Sequence, residues 1–229
     1  MSINPDVTVA TLVKDQPATI AVFQRHGIEF CCGGGLPIRE ACERAGMDLH
    51  GLLAELREAV DPICDLGDWR AAPIADLVAH IQHRYHDPLY EDLPRLVAMA
   101  RKVEQRHGSR QPHVLGPLRE AIESIEPDLV RHMRREDAVL FPDIVASAAS
   151  ADHAPPTALV DAMTTMEREH RRTADAFEQI RTLTRGYQPP NGACATYRGL
   201  YYGLSALEHQ MRLHTHLEDD ILFPRALAH

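Results

Sequence analysis

Residues 132–142 read HMRREDAVLFP, and residues 214–224 read HTHLEDDILFP. Aligned, both run His, three residues, Glu, Asp, one residue, Val or Ile, Leu, Phe, Pro. On an α-helix, residues four apart lie on one face, one turn from each other. His132 with Glu136, and His214 with Glu218, can therefore each face a single point. One such pair is ordinarily a surface contact worth about 0.2–0.5 kcal/mol. Two copies with the same apolar tail form a repeat, and a repeat of this kind should act equivalently across a pseudo-two-fold axis. The Leu-Phe-Pro tail itself reads as core packing.

The sequence around the repeat is helical in long runs. These cover 74 to about 107, 117 to about 149, 156 to about 185 and 193 to about 223. The loops GSRQP, SADHAPP and RGYQPPNG separate them. Pro88, Pro94, Pro127 and Pro142 are expected to kink or interrupt the helices. Short connections make neighbouring helices antiparallel, so the fold class is all-α, an up-down four-helix bundle preceded by a small helical domain. The two copies lie near the ends of the second and fourth helices.

Each copy then needs a partner from the preceding helix of its hairpin. His86, in RYHD, precedes His132, and His170, in EREH, precedes His214 at nearly the same distance. The metal set is His86, His132, Glu136, His170, His214 and Glu218. A glutamate can bridge two ions because each of its oxygens can take one, while a neutral imidazole caps each ion. Imidazole with carboxylate suits iron, and ligand type alone also admits zinc, copper or manganese. The order His-x-x-x-Glu, with few carboxylates, differs from the Glu-x-x-His of ferritin-like centres. His216 faces away from the ligand face, whereas His83 and His107 are candidates for a place near it. Asp137 and Asp219 point about 100° from the glutamates they follow, toward hydrogen-bonding partners or solvent.

Residues 1–62 read as a small helical domain, 63–73 as a linker and 74–229 as the bundle. Gly27 is placed to stop the second of two short N-terminal helices, a third begins at Pro37, and Asp48 caps a fourth. Between them runs EFCCGGGL, residues 29–36. Adjacent cysteines are poorly placed to bond each other, because a disulfide spans Cα atoms about 5.5–6 Å apart and trans neighbours sit about 3.8 Å apart. Cys31 and Cys32 are therefore read as a reduced thiol pair, and in a chain with a metal-binding bundle that pair becomes a candidate for taking or giving iron or supplying electrons, against a plain glycine turn. Cys42, Cys64 and Cys194 read as small buried hydrophobes.

The composition is 45% hydrophobic and 25% charged, which is that of an ordinary globular chain. Acidic residues outnumber basic ones 33 to 24, and the basic ones are scattered, so nucleic-acid binding is not expected. No apolar run reaches membrane-spanning length, and the first residues lack a secretory pattern; the expected location is cytoplasmic. Five cysteines in this length do not make a disulfide scaffold.

The stretches FCCGGG, RYHDPLYEDLPRL, ARKVEQRHG, HMRREDAVLFP, MEREH, LTRGYQPPNGACATYRGLYYGL and HTHLEDDILFPRA occur in this order. In them the chain resembles the bacterial repair-of-iron-centres family, whose C-terminal part is a hemerythrin-like domain. The resemblance implies two non-haem iron ions held by His86, His132, Glu136, His170, His214 and Glu218, with Glu136 and Glu218 bridging. It implies repair of iron-sulfur clusters damaged by nitric oxide or oxidants, with damaged or apo iron-sulfur proteins as partners; a homodimer is a separate expectation. Alternative readings are a carrier or sensor of dioxygen or nitric oxide, and a nitric-oxide-reducing enzyme. Iron donation is favoured over a carrier role because a pure carrier has no need of the CCGGG segment, and catalytic turnover with an electron donor would mark the enzyme.

Overall fold

The computed structural model describes residues 3–16, 18–30, 34–60, 69–150 and 155–228. Among them helices dominate, and the only extended pairing is a single bridge between Thr8 and Pro37. The chain forms two compact units. One comprises 1–65 with 187–204, and the other 66–186 with 205–229. The segment 187–204, assigned to the bundle from sequence, thus clusters with the N-terminal residues.

The first unit contains α1 (Val9–Asp15), α2 (Thr19–Arg25), α3 (Ile38–Arg44) and α4 (Leu49–Val60). Thr8 caps α1 by accepting from the Thr11 amide at 3.1 Å, and Asp48 caps α4 by accepting from the Gly51 amide at 2.8 Å. Gly27 and Gly46 follow α2 and α3 with φ of 66° and 67°, a region open to glycine at no steric cost. Val9, Phe23, Ile38, Cys42, Leu52 and Leu56 form the buried side of these helices. Gly34 and Leu36 are clipped to the head of α1: the Ala10 amide donates to the Gly34 carbonyl at 2.8 Å, and the Val9 amide to the Leu36 carbonyl at 3.0 Å. A Cβ at Gly34 would lie 2.7 Å from the Phe30 carbonyl oxygen, so only glycine fits there.

The second unit is the bundle. Its first helix comprises α5 (Ile74–Ile81) and α6 (Asp87–His107), and its second α7 (Pro112–Arg135) and α8 (Phe141–Ala148). The third is α9 (Thr157–Leu183), and the fourth is α10 (Ala195–Leu217), which belongs to this unit from residue 205 onward, with α11 (Phe223–Leu227). The second helix begins five residues before the expected Pro117. Pro112 occupies its first position, where a missing N–H costs nothing, and Leu115, Leu118, Ile122, Ile125 and Leu129 then line its buried face.

Three of the four bundle helices contain one π-helical turn, at Gln82–His86, Glu136–Leu140 and Glu218–Leu222. Each lies just ahead of a proline: Pro88, Pro142 and Pro224. Proline lacks the amide for the usual bond and its ring collides with the carbonyl four residues back. Those carbonyls belong to Arg84, Ala138 and Asp220, all inside the widened turns, where the bond closing the turn reaches back five residues instead. Pro94, Pro117 and Pro127, by contrast, lie within continuous α-helix. The interruptions expected at Pro94 and Pro127 are absent. At the end of the bundle that carries these turns, the core is built from Leu77, Ile81, Leu140, Phe141, Ile144, Leu222 and Phe223.

Candidate metal centre

His86 ends the first π turn, while Glu136 and Glu218 begin the second and third. His132 and His214 lie one turn ahead of these glutamates, and His170 comes from α9. All six side chains are buried, His170 being the most accessible at 5%. They form two groups that share both carboxylates. One is His86, Glu136, His214 and Glu218; the other is His132, Glu136, His170 and Glu218.

The grouping corrects the pairing expected within hairpins. His86 shares its group with His214, their Nε2 atoms 2.9 Å apart, and His132 shares its group with His170 at 3.0 Å. The reason is the carboxylate. Glu136 turns Oε1 toward His132 at 3.2 Å and Oε2 toward His86 at 3.5 Å. Glu218 turns Oε1 toward His214 at 2.8 Å and Oε2 toward His170 at 3.1 Å. Each glutamate thus serves its own helix with one oxygen and the preceding helix with the other, which sends the two histidines of a hairpin to opposite groups.

The hairpin relationship survives one layer further out. The Asp137 carboxylate sits 2.8 Å from His86 Nδ1, and Asp219 sits 2.8 Å from His170 Nδ1. Asp137 also accepts from Gln82 at 3.0 Å and from the Tyr90 hydroxyl at 3.1 Å. Burial and this carboxylate push the Tyr90 hydroxyl up to about 12. Glu169, which the sequence did not flag, sits 2.9 Å from His132 Nδ1 and is steadied by Arg135 at 2.7 Å. Its one signal is its place next to His170. His214 Nδ1 alone finds no hydrogen-bond partner among the described residues. The apolar tails also reach the site: Phe141 stacks over His86 with centroids 5.6 Å apart, and Phe223 over His170 at 6.3 Å.

Carboxylates at Nδ1 fix the N–H there, leaving Nε2 of His86, His132 and His170 with a lone pair aimed inward. Two facing lone pairs at 3.0 Å need a cation between or beside them. Glu136 has both oxygens buried without a hydrogen-bond partner among the described residues, and Glu218 Oε2 is in the same condition. Anionic oxygens left so are costly unless a positive charge meets them. The residues fit metal ions. In their absence protons serve: burial pulls the His170 imidazolium down, but Asp219 and Glu218 outweigh it and raise it to about 10. His86 and His132 are raised for the same reason, and burial of Glu218 is outweighed by His214 and His170, which hold it well below the ordinary carboxylate range.

The remaining candidates lie elsewhere. His83 is exposed and bonds Asp87 at 3.0 Å, and His216 is exposed and bonds Asp220 at 2.7 Å. His107 belongs to neither group. Cys31 and Cys32 lie outside the described residues. Cys42 is buried, its thiol donating to the Met47 carbonyl at 3.3 Å. Burial, followed by Asp48, raises that thiol above its usual range, as suits a packing residue.

Imidazoles and carboxylates converging inside four helices define a metal-binding helical bundle. The chain belongs to the hemerythrin HHE cation binding domain family, which matches residues 77–226, and residues 5–60 match a second family described as a domain of unknown function, DUF542. The chain is 38% identical to the iron-sulfur cluster repair protein YtfE of Edwardsiella ictaluri (strain 93-146), over 97% of each chain. It is 35% identical to the proteins of that name in Pectobacterium atrosepticum and Cronobacter sakazakii, again over 97% of each chain. The two residue groups and the family together point to a non-haem iron site. No helix among the described residues is long and apolar enough to cross a membrane.

Proposed function

We propose that this chain is a di-iron protein that restores iron-sulfur clusters damaged by nitrosative or oxidative stress, by donating iron to them. The observation that carries the reading is the division of each carboxylate: Glu136 and Glu218 both present one oxygen to each pair of imidazoles. That arrangement suits two ions bridged by carboxylate, with His86 and His214 on one and His132 and His170 on the other. Bound iron would supply both the material for repair and one-electron chemistry on nitrogen oxides. Asp137, Asp219 and Glu169 hold three of the imidazoles in the tautomer that binds metal, and Phe141 and Phe223 exclude water from two of them. The relatives named for iron-sulfur cluster repair support the assignment of partners, which are damaged or apo iron-sulfur proteins.

Cys31 and Cys32 are proposed to pass iron or electrons between the centre and the client. The test of repair is direct. Iron-loaded protein is mixed with an iron-sulfur enzyme inactivated by nitric oxide, and recovery of that enzyme's activity is followed. The wild type should restore it, and a Glu136→Ala, Glu218→Ala double variant should not; equal recovery with both would sink the proposal.

A further inference from the structure

A column of aromatic rings in the bundle unit ends on the metal centre. Trp69 stacks on His80 with ring centroids 4.2 Å apart and planes inclined by 29°. His80 meets Tyr85 edge-on at 5.9 Å. Tyr85 stacks on His214 at 5.7 Å with planes only 14° apart. These are contact distances for aromatic pairs, so the path has no gap. His214 is itself within 2.8 Å of Glu218 and 2.9 Å of His86. The outer end is held in place, because Arg225 donates to the carbonyls of Trp69 and Ala72, both at 2.6 Å. Trp69 is partly exposed, whereas Tyr85 and His214 are buried. The column therefore runs from the partly exposed Trp69 to a centre whose six side chains are buried.

His214 differs from the other three imidazoles in a way that matches this role. Its Nδ1 lacks the carboxylate that orients the others, and the ring lies instead against the face of Tyr85. Tryptophan and tyrosine carry the most readily oxidised aromatic side chains, and His80 supplies the π-system between them. Trp69 is also the only tryptophan in the chain.

We propose that Trp69, His80 and Tyr85 carry electrons between the protein surface and the metal centre, entering it through His214. The inference rests on the iron reading above. A ferric ion, more highly charged than a ferrous one, is held more tightly by Glu136 and Glu218, so an iron donor needs reduction before release. One electron leaves a reduced flavin that approaches the partly exposed Trp69 and arrives at a ferric ion. The flavin is oxidised by one electron, the iron becomes ferrous, and no bond within the column breaks. Trp69, His80 and Tyr85 act as positioning residues for the electron and hold no metal themselves.

The experiment uses the full chain loaded with ferric iron, mixed without oxygen with reduced flavin mononucleotide, while loss of the ferric absorption is timed. Trp69→Leu and Tyr85→Leu should each slow reduction by an order of magnitude with iron content unchanged, while His83→Ala, off the column, should not. A second reading comes from the single tryptophan. Its fluorescence should be quenched more by ferric loading than by redox-inert zinc, and Tyr85→Leu should relieve the difference. Unaltered reduction in Trp69→Leu overturns the column. Should Tyr85→Leu lose iron, Trp69→Leu decides alone, being two rings away from the nearest ligand. Wild-type protein that takes up no iron removes the iron reading and the column together. Protein that binds iron and repairs clusters, yet is reduced equally fast in Trp69→Leu, removes the column only.

Discussion

His132 and His170 face each other with their Nε2 atoms 3.0 Å apart, and the Nδ1 of each is already engaged by a carboxylate, Glu169 for the first and Asp219 for the second. The pair can be satisfied only by a positive charge at its inner edge. Protons and metal ions compete for that place.

The competition gives a pH dependence of definite sign. In the metal-free protein His170 is raised from 6.5 to about 10, because Asp219 and Glu218 outweigh the cost of burial. A group raised on folding contributes stability that is fully present below its unfolded value and is lost as pH rises through its folded value. Metal-free protein should therefore lose thermal stability between pH 6.5 and about 10. Metal binding should release protons and tighten across the same interval. Melting curves of the metal-free chain, with proton release on metal addition, check both; a flat stability profile with no proton release would contradict them.

Loss of the outer carboxylates should weaken metal binding without abolishing the fold. Glu169→Gln, Asp137→Asn and Asp219→Asn each replace the carboxylate that fixes one imidazole with a neutral amide, whose oxygen is a weaker acceptor. Each should lower metal affinity about 10–100-fold, the usual effect of losing such a partner. Competition with a chelator measures it. Glu169→Gln should also remove the ion pair with Arg135, its second partner. Affinities equal to wild type in all three would mean that the imidazoles need no outside orientation.

The Phe of each repeat links stability to the site. Phe141 is fully buried and stacks over His86. Phe141→Ala should cost about 3–5 kcal/mol by the cavity it leaves. Chemical denaturation reads the loss, and metal content should fall with it because His86 loses one wall. A cost below 1 kcal/mol would show that the site collapses around the gap, an outcome at odds with the close packing described.

The role proposed for Cys31 and Cys32 separates metal holding from repair. Cys31→Ser with Cys32→Ser should leave iron content at the wild-type level and impair restoration of a damaged client. Metal analysis and the client's recovered activity are measured on the same sample. Unimpaired recovery would return the segment to a glycine turn, a role for which the lack of room for a Cβ at Gly34 already gives a physical reason.

Much of the centre was legible in the sequence because it is written twice. His132 with Glu136 and His214 with Glu218 stand out as a repeat, and nearly equal spacing then points to His86 and His170. Glu169 was not legible, since it has no counterpart beside His86 and serves a histidine on another helix. The crossed grouping escaped as well. It depends on which oxygen of Glu136 faces which helix, and sequence spacing does not encode that. The π turns had a signal in hindsight: a proline six residues after each repeat glutamate, and another two after His86. Yet Pro94 and Pro127 sit in unbroken helix, so proline alone does not announce such a turn. The ring column depends on Trp69 folding back to His80, a contact between a presumed linker and a helix that periodicity does not reveal.

The most direct measurement of the central claim is iron content and a Mössbauer spectrum of the chain purified without oxygen. Two bound irons per chain with the coupling of a carboxylate-bridged pair are expected in the wild type, and loss of that pair in the Glu136→Ala, Glu218→Ala variant. A single uncoupled iron, or an unchanged pair in the double variant, would contradict a centre built on the shared oxygens of Glu136 and Glu218.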